Sequence, residues 1–142
     1  MKRHESLIPL SRFHRSCLFL ALIAKENAPA VKGYPTEINE KISYANSFFI
    51  RRLRPHFDRE EKLWSFVANK SEELAKIVDE LSIERTTLIL LFQKLNENCT
   101  KATLHEMGTL LEKHVRKEER VLFQQIQKDL TDEELLHLQK VI

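Results

Sequence analysis

One six-residue pattern occurs twice in this 142-residue chain and restricts the fold more than any other feature. His56-Phe57-Asp58-Arg59-Glu60-Glu61 and His114-Val115-Arg116-Lys117-Glu118-Glu119 both read His-x-x-x-Glu-Glu. On an α-helix, residues four apart stand one turn above each other on the same face. Each copy therefore presents an imidazole beside a carboxylate. Both sit in apolar helical stripes. Phe49, Leu53, Leu63 and Val67 accompany the first; Leu110, Leu111, Val121 and Leu122 accompany the second and are expected to face inward with it. Two such helices facing each other make half a cage for a transition metal, because imidazole and carboxylate suit iron, and manganese where carboxylate dominates.

The remaining sequence supplies the other walls. Only two Gly and four Pro occur, a low breaker content that favours helix. Pro9 opens a helix over 9–26 with Leu7, Leu10, His14, Cys17 and Ala21 on its apolar face. Thr36 is a fair N-cap for a long helix over 37–68. Pro55 lies inside it, removes a hydrogen bond and should bend it just before His56. Ser71 caps a third helix over 72–98, in which Leu74, Leu81, Leu88 and Leu95 recur every seven residues. Glu84 and Arg85 occupy a slot of that seam that is apolar in the turns above and below. Thr100 starts a helix over 101–129, and Thr131-Asp132-Glu133-Glu134 is a capping box for a short last helix. The expectation is one domain over 1–142, all-α, an up-down-up-down four-helix bundle with a short extra C-terminal helix.

Spacing adds an independent constraint. Twenty-nine residues separate position 56 from 85, and again 85 from 114. At 1.5 Å per residue, each position lies ~20 Å from its helix end. Antiparallel helices then bring His56, the Glu84/Arg85 pair and His114 to one height, where His14 can join them. A polar layer inside an apolar bundle is expensive unless its members are paired or bind something.

Composition removes several function classes. The formal net charge of +2, from 23 basic and 21 acidic residues, argues against a dedicated nucleic-acid or membrane-surface protein. Cys17 and Cys99 form no Cys-x-x-Cys and read as free thiols of a reducing, cytoplasmic compartment, without a metal role. Met1-Lys2-Arg3 followed by the apolar run 17–24 imitates a secretory signal, but Glu5, Arg12, His14 and Arg15 interrupt the segment before the run. No stretch is long enough to span a membrane. No nucleophile triad, phosphate loop or nucleotide fingerprint is present. Arg51, Arg52 and Arg54 read as a solvated face, Trp64 and the Phe residues as core, and His4, His105 and His137 as surface residues.

With these residues in place, the chain resembles the hemerythrin-like HHE cation-binding domain family over nearly its whole length. The resemblance rests on Leu7-Ile8-Pro9-Leu10-Ser11-Arg12-Phe13-His14, on Pro55-His56-Phe57-Asp58-Arg59-Glu60-Glu61, and most specifically on His114 through Phe123. It implies a non-haem di-iron centre inside a four-helix bundle, with His14, His56, Glu60, His114 and Glu118 as ligands and the two Glu bridging the metals. The third helix departs from the family pattern: Glu84-Arg85 stands where the family has Glu-His. Arg stays protonated and cannot coordinate a metal. Two outcomes are therefore open. Arg85 pairs with Glu60 or Glu118 and fills a metal position, leaving at most one iron, or it turns away and Glu84 enters as a replacement ligand.

Three functions compete. The first is a metal-binding module that holds non-haem iron and through it binds oxygen or nitric oxide for sensing, storage or stress defence. The second is a di-iron oxidase, since Glu-x-x-His helices also build such enzymes. The third is a structural or interaction bundle whose degraded metal site is closed by Arg85 salt bridges.

Overall fold

The computed structural model describes residues 2–142, and among these the chain is helical with no strand. Helix α1 is Ile8–Ala24, with Pro9 in its first turn. Helix α2 runs over 38–67 as three continuous pieces: Ile38–Phe48, a π-helical turn Phe49–Leu53, and Arg54–Val67. Helix α3 is Glu72–Lys94. Helix α4 runs over 101–129 as Lys101–Lys117, a second π-helical turn Glu118–Leu122, and Phe123–Asp129. Helix α5, Asp132–Val141, closes the chain.

The caps explain the boundaries. Ser71 Oγ accepts from the Leu74 N–H at 3.1 Å, and Thr100 Oγ1 from the Thr103 N–H at 3.2 Å. Thr131 and Glu134 form a reciprocal capping box at 3.1 and 2.9 Å. The expected Thr36 cap is not formed: α2 begins after Glu37, with no side-chain cap. Helix α3 ends at Lys94, four residues earlier than its apolar pattern suggests, although Leu95 remains buried.

Both π turns have consequences for the site. Pro55 has no N–H to offer Arg51, and the Arg54 N–H bonds the Phe49 carbonyl instead, five residues back. The expected disturbance at Pro55 is thus absorbed one turn upstream of His56. The second π turn has no proline to announce it: the Phe123 N–H reaches the Glu118 carbonyl. The extra residue rotates the following turn, so Val121, expected inward, is 43% exposed, while Leu122, Phe123 and Ile126 are buried.

Adjacent helices pack as α1–α2–α3–α4 and back to α1, with α5 against the end of α2. The apolar core is split in two. One cluster includes Cys17, Leu20, Phe48, Leu53, Phe57, Leu88, Phe92, Leu111 and Val115. The other includes Leu10, Leu63, Trp64, Leu81, Leu122, Phe123 and Leu138, the last from α5. His14 falls between Leu10 and Cys17, Glu60 between Phe57 and Leu63, and Glu118 between Val115 and Leu122, so the polar layer lies where the clusters meet.

Helices α1 and α4 come close together at Gly108. A Cβ there would stand 2.8 Å from the Ala21 carbonyl oxygen and 2.9 Å from Ala24 Cβ. Helix propensity alone favours Gly108→Ala by about 1 kcal/mol. The clash is with backbone, which yields little, and overpacking of this kind costs about 1–3 kcal/mol. The expected outcome is a net loss of stability, seen as a lower urea midpoint than that of the parent protein. A raised midpoint would show that the helices separate at little cost.

A candidate metal centre between two apolar clusters

His14, His56, Glu60, His114 and Glu118 are all buried, each at most 5% exposed. Their side chains converge. His14 Nε2 lies 3.1 Å from His56 Nε2, 3.5 Å from a Glu60 oxygen and 3.8 Å from a Glu118 oxygen. His56 Nε2 is 3.4 Å from the other Glu60 oxygen, and His114 Nε2 is 3.0 Å from Glu118. Two donor triads result, each with all ligand atoms within 4.8 Å of one another: His14, His56 and Glu60, and Glu60, His114 and Glu118. Glu60 belongs to both.

The donor set fits metal ions on two counts. Donors about 2.1 Å from a six-coordinate ion lie about 3.0 Å apart when adjacent, close to the contacts within each triad. The polar atoms are also left without protein partners. Neither oxygen of Glu60 has a hydrogen bond, nor do Glu118 Oε2 and His114 Nε2. The 3.0 Å approach of His114 to Glu118 thus lacks hydrogen-bond alignment. A fully buried carboxylate without a hydrogen bond costs several kcal/mol unless a cation meets it.

Behind the converging atoms, two carboxylates orient imidazoles. Glu119 Oε2 lies 2.7 Å from His14 Nδ1, and Glu119 is itself held by Ser11 Oγ at 2.9 and 3.0 Å and by the Arg3 guanidinium at 3.3 Å. Glu84 Oε1 lies 3.1 Å from His114 Nδ1. A carboxylate on one ring nitrogen fixes the tautomer and turns the other nitrogen, here Nε2, towards a metal. Glu84, expected as a replacement ligand, therefore stands behind His114 and belongs to neither triad. Glu119 was not singled out by the sequence. The available signal was the second Glu of His-x-x-x-Glu-Glu, present in both copies.

Of the two outcomes open for Arg85, the salt bridge to Glu60 or Glu118 is not formed: Arg85 turns away from the layer, and Glu84 does not enter either triad in its place. Its guanidinium pairs with Glu61, the second Glu of the other copy, and lies over the Trp64 ring at 3.7 Å and the Phe57 ring at 5.2 Å from the centroids. Two aromatic faces attract the cation, and Glu61 on the outer side of α2 offers a charge without desolvating one. The layer is not closed by arginine.

The electrostatics of the metal-free layer follow. Burial disfavours charge on His14, but the hydrogen bond to Glu119 and the nearby carboxylate charges of Glu60 and Glu119 outweigh it and raise its pKa to about 9. Burial lowers the pKa of His56, with Glu60 offsetting part of the effect. Burial pushes Glu60 up, but His56 and His14 outweigh it and hold its carboxyl well below the usual range. At neutral pH the ion-free layer thus keeps His14 charged and His56 neutral, in keeping with the short contact between their Nε2 atoms.

A folded pKa raised from 6.5 to about 9 contributes stability that is complete below pH 6.5 and disappears as pH rises through 9. The chelator-treated protein should therefore lose roughly 3 kcal/mol between pH 6 and pH 9.5, measured by urea unfolding. His14→Asn should flatten that slope. A parent protein whose stability does not change over this window would contradict a charged His14.

Cys17 and Cys99 are free thiols, and among the described residues no helix is long and apolar enough to cross a membrane. Comparison with curated proteins and with solved structures gives no significant match. The hemerythrin HHE cation-binding domain, in contrast, matches residues 10–126, a span that takes in every residue of both triads. The chain belongs to the hemerythrin HHE cation-binding family.

Proposed function

We propose that the chain holds non-haem iron in the polar layer, in one strong and one weaker position, and through it binds a small diatomic ligand, oxygen or nitric oxide, in sensing, storage or stress defence. Glu60 carries this reading: it is wholly buried, neither of its oxygens is hydrogen-bonded, and it is shared by both triads. In the proposed centre His14, His56 and Glu60 hold the first ion, Glu60, His114 and Glu118 hold the second, and Glu118 reaches towards the first as well. Glu119 and Glu84 keep the Nε2 atoms of His14 and His114 turned inward. Bound iron would supply a redox-active Lewis acid. The rings of Phe13, Phe57, Trp64 and Phe123 pack against these histidines and keep water away.

The two positions are unequal. The first triad has two imidazoles and the second has one, because Arg85 stands where a third-helix imidazole would complete it. The oxidase reading is weaker. A cleft of about 590 Å³ beside the α1–α2 loop is lined by Lys25, Lys41 and Lys101 and by no residue of the layer. A diatomic ligand needs no cleft of that size.

Anaerobic titration of chelator-treated protein with ferrous iron should show two phases. Trp64, the only Trp, has its ring 6.3 Å from that of His114, so filling the second position should quench its fluorescence. Glu60→Gln should abolish both phases, and His114→Ala should remove only the weaker. Retention of both phases in Glu60→Gln would exclude the layer as the site. Admitting stoichiometric nitric oxide or oxygen to the loaded ferrous protein should change its visible absorption, and an unchanged spectrum with both would remove the diatomic part of the proposal.

Arg85→His supplies the missing imidazole next to the second position. Losing a residue that merely orients a ligand costs about 10–100-fold in metal affinity, so gaining a ligand should tighten the second phase by at least about tenfold. The first phase should not move. A second phase that is unchanged or weaker would mean that position 85 has no access to the metal.

A further inference from the structure

The outer face of α3 is unlike the other solvated faces of the bundle. At 100° per residue, Glu72, Lys76, Asp79, Ile83, Thr87, Leu90 and Lys94 fall on one straight stripe, with Thr86 at its margin. All are exposed, and Ile83 and Leu90 are 69% and 52% accessible. Thr86 Oγ1 bonds the Ser82 carbonyl at 3.1 Å and Thr87 Oγ1 bonds the Ile83 carbonyl at 3.3 Å. Both hydroxyls are therefore satisfied within their own helix, and the centre of the stripe can lose water without orphaning them. The charges on the stripe make no salt bridge among the described residues, whereas the neighbouring Glu80, just off it, is paired with Lys117.

The order of residues along this stripe is self-complementary. Inverted about a point between Thr86 and Thr87, Ile83 falls opposite Leu90, and Asp79 opposite Lys94. In the turn that directly follows Lys94 the same inversion sets Lys76 opposite Glu97, again opposite charges and again exposed residues. A parallel arrangement would instead oppose every charge to itself. Antiparallel pairing also aligns the two helix dipoles favourably. We infer that the outer face of α3 pairs with the same face of a second copy of this chain, antiparallel, about a two-fold axis passing between Thr86 and Thr87. Such an interface is isologous, as in most closed dimers. One helix pair with two large apolar side chains from each copy is small by the standard of specific interfaces, so the dimer is weak, with a Kd on the order of 10–100 µM.

Sedimentation equilibrium of the full-length protein over a range of concentrations tests this. The parent chain should dimerise in the range given and dissociate in 1 M salt, where charges are screened beyond about 3 Å. Asp79→Lys places like charges opposite each other twice per dimer and should raise Kd roughly tenfold or more. Adding Lys94→Asp to that variant should bring the Kd back, because both contacts are then reversed together. Ile83→Asp, at a position exposed in the monomer, should abolish dimerisation. A chain that stays monomeric to about ten times the upper Kd given above, or a dimer indifferent to Asp79→Lys, overturns the proposal. So does a double variant as weak as the single one.

Discussion

A carboxylate buried out of reach of solvent and of any protein hydrogen-bond donor is the constraint around which this bundle is arranged. Glu60 is fully buried between two apolar clusters, and removing its charge from water costs several kcal/mol that no neutral neighbour can return. Only positive charge offsets it. In the metal-free protein that charge is a proton on His14, held there by Glu119 and Glu60 against the effect of burial. The proton thus stands in for a cation. A bundle selected only for stability would have filled this slot with leucine, as α3 does one turn away on either side with Leu81 and Leu88. Metal binding, on this reading, replaces a proton by an ion that can be shared among more donors.

The geometry that serves this constraint is built by irregularities in otherwise regular helices. In α2 and α4 the His-x-x-x-Glu spacing puts imidazole and carboxylate on one face, as any helix would. What a regular helix would not do is turn the residues after Glu118. The π turn over Glu118–Leu122 accommodates an extra residue, moves Val121 to the surface and leaves Phe123 buried, its ring stacked near that of His14 at 5.7 Å. Such turns are frequent at functional sites, because they re-aim a few side chains without ending the helix. Each second Glu is then free for a separate task. Glu119 supports His14 from behind, and Glu61 draws Arg85 away from the layer.

This division matches what the sequence made legible and what it did not. Helix starts at Ser71, Thr100 and Thr131 are local chemistry, one side chain satisfying an N–H three residues on, and could be read directly. The level of the layer could be read as well, because equal spacing along antiparallel helices needs no knowledge of packing. The π turn of α4 could not be read, since nothing in Glu118–Leu122 breaks a helix. Nor could the direction of Arg85. Choosing between a buried carboxylate and an aromatic platform depends on where Trp64 and Phe57 sit in space, and both read from sequence simply as core. Glu84 and Glu119 differ from ligands only in which side of an imidazole they face, which spacing along a helix does not encode.

Arg85 decides the balance between the two triads by its placement more than by its charge. Had it entered the layer, it would have neutralised Glu60 or Glu118 and left no room for a second cation. Stacked on Trp64 instead, it satisfies its charge outside while two of its guanidinium nitrogens remain without hydrogen-bond partners. The cation therefore sits on the edge of the site rather than in it. What is lost is one imidazole, and the loss falls wholly on the His114 side, because His14 and His56 lie together on the other. The bundle thus keeps one triad of two imidazoles and a shared carboxylate. In the proposed centre the other triad would be the poorer position, and because both would rest on Glu60, filling the first would change the charge available to the second. The asymmetry of the two triads follows from the donor count, and their coupling from Glu60 being common to both.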